Sequence, residues 1–227
     1  MTPLGSTSRG RAAKRTVVAV VIAVSTIIVI IGLTVALFFN PVWVGFAQER
    51  AGVAEITGYS PEQVRTVTGA ILSDVILGPP DFTVSIDGQP VLTDTERGHM
   101  VDVFDVVRRA LVVLAIAVAA LIAVFATDRG QAWPWRAVAV GSGVLVAIGG
   151  VIGIGVLFFF DAVFLLFHRI FFAQGNFTFD PRTQRLVQLL PDQFWTESLT
   201  VVAFTGFAIA VLVTLLAHLR GSALARR

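Results

Sequence analysis

Cysteine is absent from the 227 residues. The chain therefore holds no disulfide, no thiolate nucleophile, no cysteine metal site and no thiol to carry a lipid of its own. Lysine is nearly absent too: of the 17 basic residues, all but Lys14 are arginine. Charge of either sign is scarce, at 14% against 56% hydrophobic residues, and the mean hydropathy is +0.82. A soluble domain carries about 25% charged residues, so the composition argues against a soluble enzyme and against a disordered chain. No basic stretch has the clustering of a nucleic-acid site. There is no G-x-S-x-G elbow either. Without that serine or any thiol, an enzyme built from this chain is not expected to form a covalent acyl intermediate.

What the sequence has is long apolar runs. Crossing about 30 Å of hydrocarbon takes about 20 apolar residues in a helix, and four segments suffice: 17–39, 108–127, 137–160 and 198–217. The first is too long for a cleavable leader, and Phe38-Phe39-Asn40-Pro41 offers no small-residue cleavage site, so it reads as a retained helix. The expected fold class is an all-α membrane protein with four transmembrane helices. Basic residues then set the orientation. Arg9, Arg11, Lys14 and Arg15 precede the first span, Arg129 and Arg136 lie in the 128–136 connection, and Arg220, Arg226 and Arg227 follow the last span. With four spans all three segments fall on one side, which the positive-inside rule assigns to the cytoplasm. Of the 15 acidic residues, all but Asp128 fall on the other side. Both termini are thus expected inside, with a basic tail over 1–16 and another over 218–227. The chain is expected to be a multi-pass protein of the cell membrane.

Two segments are expected to face outward, 40–107 and 161–197. In the first, Ser60-Pro61-Glu62-Gln63 has the form of a capped helix start, and that helix runs to Leu77, before Gly78-Pro79-Pro80. Phe82, Val84 and Ile86 then alternate, Asp87-Gly88 forms a two-residue turn, and Val91 and Leu92 follow, a hairpin signal with Pro90 on an edge strand. A small cap of one helix and one hairpin is expected. In the third span Gly149 and Gly153 form a small-xxx-small pair that lets backbones approach.

Two places concentrate chemistry. The third apolar run continues through Asp161 to His168 and Phe172, and seven residues separate Asp161 from His168, so both share a face two turns apart. The second span starts early, around Thr95, and Glu96, His99 and Asp102 recur every three residues on one face. Asp105 and Arg109 are spaced to pair. Histidine titrates nearest neutrality, and a neighbouring carboxylate orients it. The same residues admit blander roles: interfacial histidines also bridge water and headgroups, and His218 suits the C-terminal end of the fourth helix. A zinc site from Glu96, His99 and His168 is a further reading, though it lacks close His-x3-His spacing. No ionisable residue lies mid-span, which argues against a transporter.

The box Glu96-Arg-Gly-His99-Met100-Val-Asp102-Val103 resembles the E-x-x-H-M-x-D-V box of a bacterial four-helix membrane family, the lipoprotein intramolecular transacylases (Lit). A second box, Phe160-Asp161-Ala through Phe167-His168-x-Ile170-Phe171-Phe172, resembles the family's other motif. Asn176, Phe179, Asp180-Pro181, Leu186, Pro191 and Phe194 continue the likeness. Phe177 and Gln184 depart from it, where tryptophan and aspartate are expected, and Arg169 places a charge beside His168. The resemblance implies a reaction: the sn-2 acyl chain of a diacylglyceryl-cysteine moves to the α-amine of the same cysteine. Donor and acceptor belong to one molecule, so the reaction needs no cofactor. The implied partners are diacylglyceryl-modified lipoproteins and membrane lipid. On that reading His168 with Asp161, and His99 with Glu96 and Asp102, are the catalytic acid–base groups. Phe171, Phe172 and Phe177 line an acyl groove, and Arg169 holds a lipid phosphate or the peptide. Aromatic packing and a solvated interfacial cation are the plainer readings of these last residues. A non-catalytic envelope scaffold and a membrane-surface zinc hydrolase are the competing functions.

The orientation is open to direct measurement. Because the chain has no cysteine, single Ile86→Cys and Gln131→Cys substitutions report cleanly. An impermeant maleimide added to intact cells is expected to label residue 86 and to leave residue 131 untouched until the membrane is opened. Labelling of residue 131 from outside would overturn the four-span topology.

Overall fold

A computed structural model describes residues 5–227. The first four residues of the basic tail expected over 1–16 lie outside the described residues. Among the latter there are nine helices and one two-stranded hairpin. Four helices are long and apolar enough to cross a membrane, with candidate spans at Ala12–Phe38, Asp94–Asp128, Ala132–Gly155 and Asp192–Ala225. They lie within α1 (Gly5–Phe38), α5 (Asp94–Asp128), α6 (Ala132–Phe158) and α9 (Asp192–Ala225). Each of these helices is longer than its apolar run, because turns flanked by polar residues continue the helix at one or both ends.

The chain divides into two units. One takes Met1–Leu33 from residue 5 onward, with Val112–Val151 and Thr205–Arg227. Here helices meet through small residues, as packing in lipid requires. A Cβ on Gly141 would fall 2.7 Å from the Cα of Ala23 and closer still to its carbonyl oxygen, so α6 crosses α1 backbone to backbone at this point. The expectation placed close approach at Gly149 and Gly153. Gly149 instead meets only the Phe207 ring at 4.0 Å, and Gly153 has nothing within 4 Å. The close approach sits two turns earlier, where Ala137 and Ser142 are also buried. Thr214 donates to the Ser142 hydroxyl at 2.9 Å, and Ser142 in turn donates to the Val138 carbonyl at 2.8 Å. At one end of this unit the Arg15 guanidinium lies 5.1 Å from the Trp133 ring centroid, and Gly221 adjoins Ala132, Trp135 and Arg136. The three basic segments therefore gather at the same end, as four spans demand.

The other unit takes Thr34–Leu111 and Ile152–Phe204. It contains α2 (Pro41–Arg50), α3 (Val53–Thr57) and α4 (Pro61–Ile76). Asn40 caps α2 by accepting from the Val42 and Trp43 amides. Ser60 and Gln63 close the capping box of α4 as read from sequence. Val64, Val67, Ile71, Leu72 and Val75 form the buried stripe of α4 at helical spacing. They join Val44, Ala47 and Val53 in the core, with Phe82, Leu92 and Met100 from later in the chain. The hairpin pairs β1 (Ser85–Ile86) with β2 (Gln89–Pro90), Ile86 opposite Gln89. Asp87 and Gly88 both take positive φ, 50° and 76°, as the tight mirror-image hairpin turn demands. Each strand is only two residues long. The expectation was one helix and one hairpin in this cap, and α2, α3 and α8 (Arg185–Leu189) are additions to it. Buried Gln48 ties three of these helices together, donating to the Leu189 carbonyl and accepting from Thr68, each at 2.9 Å.

The third apolar run does not continue as one helix. Phe159 leaves helical geometry at φ −137°, ψ 39°, ending α6 and starting α7 (Phe160–Phe171). Backbone bonding bridges the break, from Phe159 N–H to the Gly155 carbonyl at 2.8 Å and from Val163 N–H to the Phe159 carbonyl at 3.1 Å.

The crossing at Gly141 makes a stability prediction. Gly141→Ala forces α1 and α6 apart and is expected to cost about 1–3 kcal/mol, seen as a lower unfolding temperature in detergent. Gly153→Ala, facing open space, is expected to stay within about 0.5 kcal/mol of the parent.

Candidate active site

Both histidines of the two motifs lie in the second unit, and the fold brings them together. Their ring centroids are 6.2 Å apart and the planes are nearly parallel, at 20°. His99 is 6% exposed and His168 9%. Aromatic rings close around them. Phe172 lies 4.7 Å from His99 and 5.5 Å from His168. Phe179 meets His99 edge-on at 5.5 Å. Phe164 and Phe177 stand 4.0 and 5.2 Å from His168.

The proton on His168 is assigned by its partner. Nδ1 lies 2.8 Å from the Phe164 carbonyl, and a carbonyl oxygen only accepts. Nδ1 therefore carries hydrogen, and in the neutral ring Nε2 holds the lone pair. Burial pushes the His168 pKa below the ordinary histidine value, against the opposing pull of the Phe164 carbonyl. At neutral pH the ring is therefore uncharged, with a free basic nitrogen.

Asp161 is not that partner. It is exposed and, among the described residues, makes no hydrogen bond to His168. An i,i+7 pair shares a face but stands about 10 Å apart along the axis, too far to touch. The intervening Phe164, one turn before His168, supplies the bond from its backbone. Asp161 instead lines an open notch of about 410 Å³ with Phe158, Phe159, Phe160 and Ala162.

Glu96 is likewise turned elsewhere. It is completely buried, and one oxygen accepts from the Thr93 amide and the Thr93 hydroxyl, each at 2.7 Å. The other accepts from the Leu186 amide at 2.7 Å. The Glu96 amide approaches Thr93 Oγ1 at 3.3 Å, so Thr93 and Glu96 form a capping box at the start of α5. The sequence carries that signal as Thr93-x-x-Glu96 before an apolar run. Leu186 is the second residue of α8, and its amide would otherwise lack an acceptor. With its carboxyl so engaged, Glu96 does not join the histidines as a zinc ligand. Among the described residues no group of three or more His, Asp or Glu side chains converges on a metal-binding arrangement.

The remaining candidates separate. Asp102 accepts from the Asn176 amide at 2.6 Å. Asn176 belongs to the family likeness but not to the residues expected at the site. Phe172 and Phe177 adjoin the histidines. Phe171 is half exposed and meets Phe167 at a tilt, 4.7 Å between centroids, and Arg169 is exposed. Gln184, one of the departures, accepts from the Asp180 amide at 2.7 Å and so braces the turn into α8. Asp105 and Arg109 approach to 3.9 Å, both largely exposed, a spacing worth little in water.

The chain thus has four candidate membrane helices, and one of its two units holds a buried histidine pair ringed by aromatic side chains. The model of the family described as lipoprotein intramolecular transacylase Lit matches residues 19–195, and the chain belongs to that family. It is thus an acyltransferase of the lipoprotein intramolecular transacylase class. The fold agrees with the in meso structure of the membrane integral lipoprotein intramolecular transacylase Lit from Bacillus cereus. The TM-score is 0.78 at 14% identity, covering 95% of this chain and 100% of that one. A histidine-to-alanine variant of the same Bacillus cereus protein matches with a TM-score of 0.74 at 13% identity, over 98% and 100% of the two chains. A histidine-to-arginine variant matches with a TM-score of 0.71 at 14% identity, over 94% and 95%. No curated protein sequence matches significantly.

The partners of Glu96 predict how its loss is felt. Glu96→Ala strands donors from Thr93 and Leu186, and unpaired buried donors cost about 1–3 kcal/mol each. A drop of at least about 2 kcal/mol is expected in unfolding measurements. Glu96→Gln should be intermediate, since its amide must oppose one of those donors. Lost turnover with unchanged unfolding would return Glu96 to the histidines as a catalytic group.

Proposed function

We propose that His99 and His168 are the acid–base pair of an intramolecular acyl transfer, from the sn-2 ester of a diacylglyceryl-modified lipoprotein to the α-amine of its modified cysteine. The observation that carries this reading is the pair itself: two buried, nearly parallel imidazoles 6.2 Å apart, one with its free nitrogen assigned by the Phe164 carbonyl.

Proton counting explains the need for two. An α-amine is protonated near neutral pH, and an ammonium that becomes a secondary amide loses two protons. One goes to the departing glyceryl oxygen and the other to water. One neutral imidazole takes the first proton and frees the amine. The amine nitrogen attacks the ester carbonyl, and the second imidazole takes the next proton as the C–N bond forms. The tetrahedral intermediate expels the glyceryl oxygen, which receives a proton from one imidazolium. The other imidazolium releases its proton to solvent. Donor and acceptor arrive tethered, so positioning supplies up to about 7–11 kcal/mol of the barrier and no protein nucleophile is needed. The apolar rings around the pair suit an acyl chain, Phe164 and Phe172 lying nearest and Phe177 next. Arg169, exposed near the end of α7, supplies a cation for a lipid phosphate on this reading. The grouped basic segments support a cytoplasmic placement of both termini, with the histidines at the outer leaflet.

His168→Ala is expected to lower transfer about 10²-fold or more on a defined diacylglyceryl lipopeptide followed by mass spectrometry, with expression and insertion unchanged. Glutamine at 168 should not rescue, since an amide does not shuttle protons. Asp161→Asn, exposed and two turns away, should cost far less. Normal transfer by a folded His168→Ala protein would refute the acid–base role of His168.

A further inference from the structure

The loop after α7 returns to α5 through Gly175, whose φ of 80° is open to glycine and strained for other residues. It delivers Asn176, whose Nδ2 donates to Asp102 Oδ2 at 2.6 Å. A carboxylate only accepts, and a carboxamide has one donating and one accepting end. Asp102 therefore fixes which way the Asn176 amide points, with Oδ1 turned from the carboxylate. Asp102 and His99 are one turn apart on the same face of α5, so an amide anchored on Asp102 stands on the side of α5 that carries His99.

Among the described residues two buried side-chain polar atoms lack a hydrogen-bond partner, and they are His99 Nδ1 and Asn176 Oδ1. One is a potential donor and the other an acceptor. Leaving a donor and an acceptor both unpaired in an apolar setting is unfavourable, and one bond between them satisfies both.

We infer that Asn176 is a positioning residue: its Oδ1 takes the Nδ1 hydrogen of His99 and holds that ring in the tautomer with the lone pair on Nε2, while Asp102 holds the amide from behind. This deepens the proposed acid–base function and rests on it. His168 is held in the same tautomer by the Phe164 carbonyl. Both rings then have an oxygen on Nδ1 and a basic Nε2, the state in which each can take one of the two protons the amine gives up. Asp102 thus acts on His99 through Asn176, with its carboxylate bound to the amide.

The test is ¹⁵N NMR of histidine-labelled protein in detergent, above the titration of its rings. The chain has 3 histidines, and single His→Gln variants assign their signals. In the parent protein His99 should show a protonated Nδ1 and an unprotonated Nε2. Asp102→Asn keeps the shape but releases the amide, and Asn176→Ala removes it. Both should shift His99 towards a mixture of tautomers and leave His168 unmoved. Both should also lower kcat about tenfold, the scale of one hydrogen bond, with KM little changed. The exchanged pair Asp102→Asn with Asn176→Asp restores an acceptor at Nδ1 and should recover the tautomer and much of the rate. A parent His99 protonated on Nε2, or one whose signals ignore both substitutions, overturns the role of Asn176. The acid–base reading fails separately, if His99→Ala retains transfer whatever the spectrum shows.

Discussion

The buried carboxyl of Glu96 is the constraint from which the candidate site hangs. Three donors, two from Thr93 and one from Leu186, converge on its two oxygens, and no water-filled alternative is open to a side chain with no exposed surface. These bonds fix where α5 begins and where α8 lies against it. They also fix its rotation, because the residue one turn on from Glu96 must then face the same interior. That residue is His99, and the next turn brings Asp102. A carboxyl spent on architecture thus sets the direction in which an imidazole and a second carboxyl point.

The surroundings of the histidines follow from the same economy of charge. Phenylalanine rings and a backbone carbonyl surround His168, so its uncharged imidazole is favoured. In water a histidine would shed that advantage to solvation. With 6.2 Å between their centroids the nearly parallel rings do not hydrogen-bond each other. A reaction whose two ends arrive in one molecule asks for little more than proton acceptors in a dry, shaped place. The absence of cysteine and of any serine elbow fits that demand.

Legibility varied with the range of the interaction. The Ser60 capping box and the Asp87-Gly88 turn were readable because each is complete within four residues. Helix lengths and the four spans were readable from apolar runs, and the two motif histidines from family likeness. Misreadings came where a pattern had more than one use. The three-residue step from Glu96 to His99 allows a side-chain pair, yet the same glutamate also completes a cap with Thr93. The seven-residue step from Asp161 to His168 puts both on one face and leaves them two turns apart. Glycines clustered late in α6, while the crossing with α1 fell at Gly141, because only the partner helix decides which small residue it meets.

Hydrophobic length, basic-residue placement and local caps are properties of short stretches, and so the amino-acid sequence alone determined the helical class, the number of candidate spans and the residues able to do acid–base chemistry. It did not determine which carboxyls serve those residues. Asn176 lies 74 positions from Asp102 and Leu186 lies 90 from Glu96. The Phe164 bond to His168 comes from a carbonyl, a group every residue owns and no side-chain pattern marks. Partners at such separations, and partners drawn from the backbone, exist only once the chain has closed on itself. The fold alone therefore decided that Glu96 holds the frame while Asn176 and Phe164 face the imidazoles.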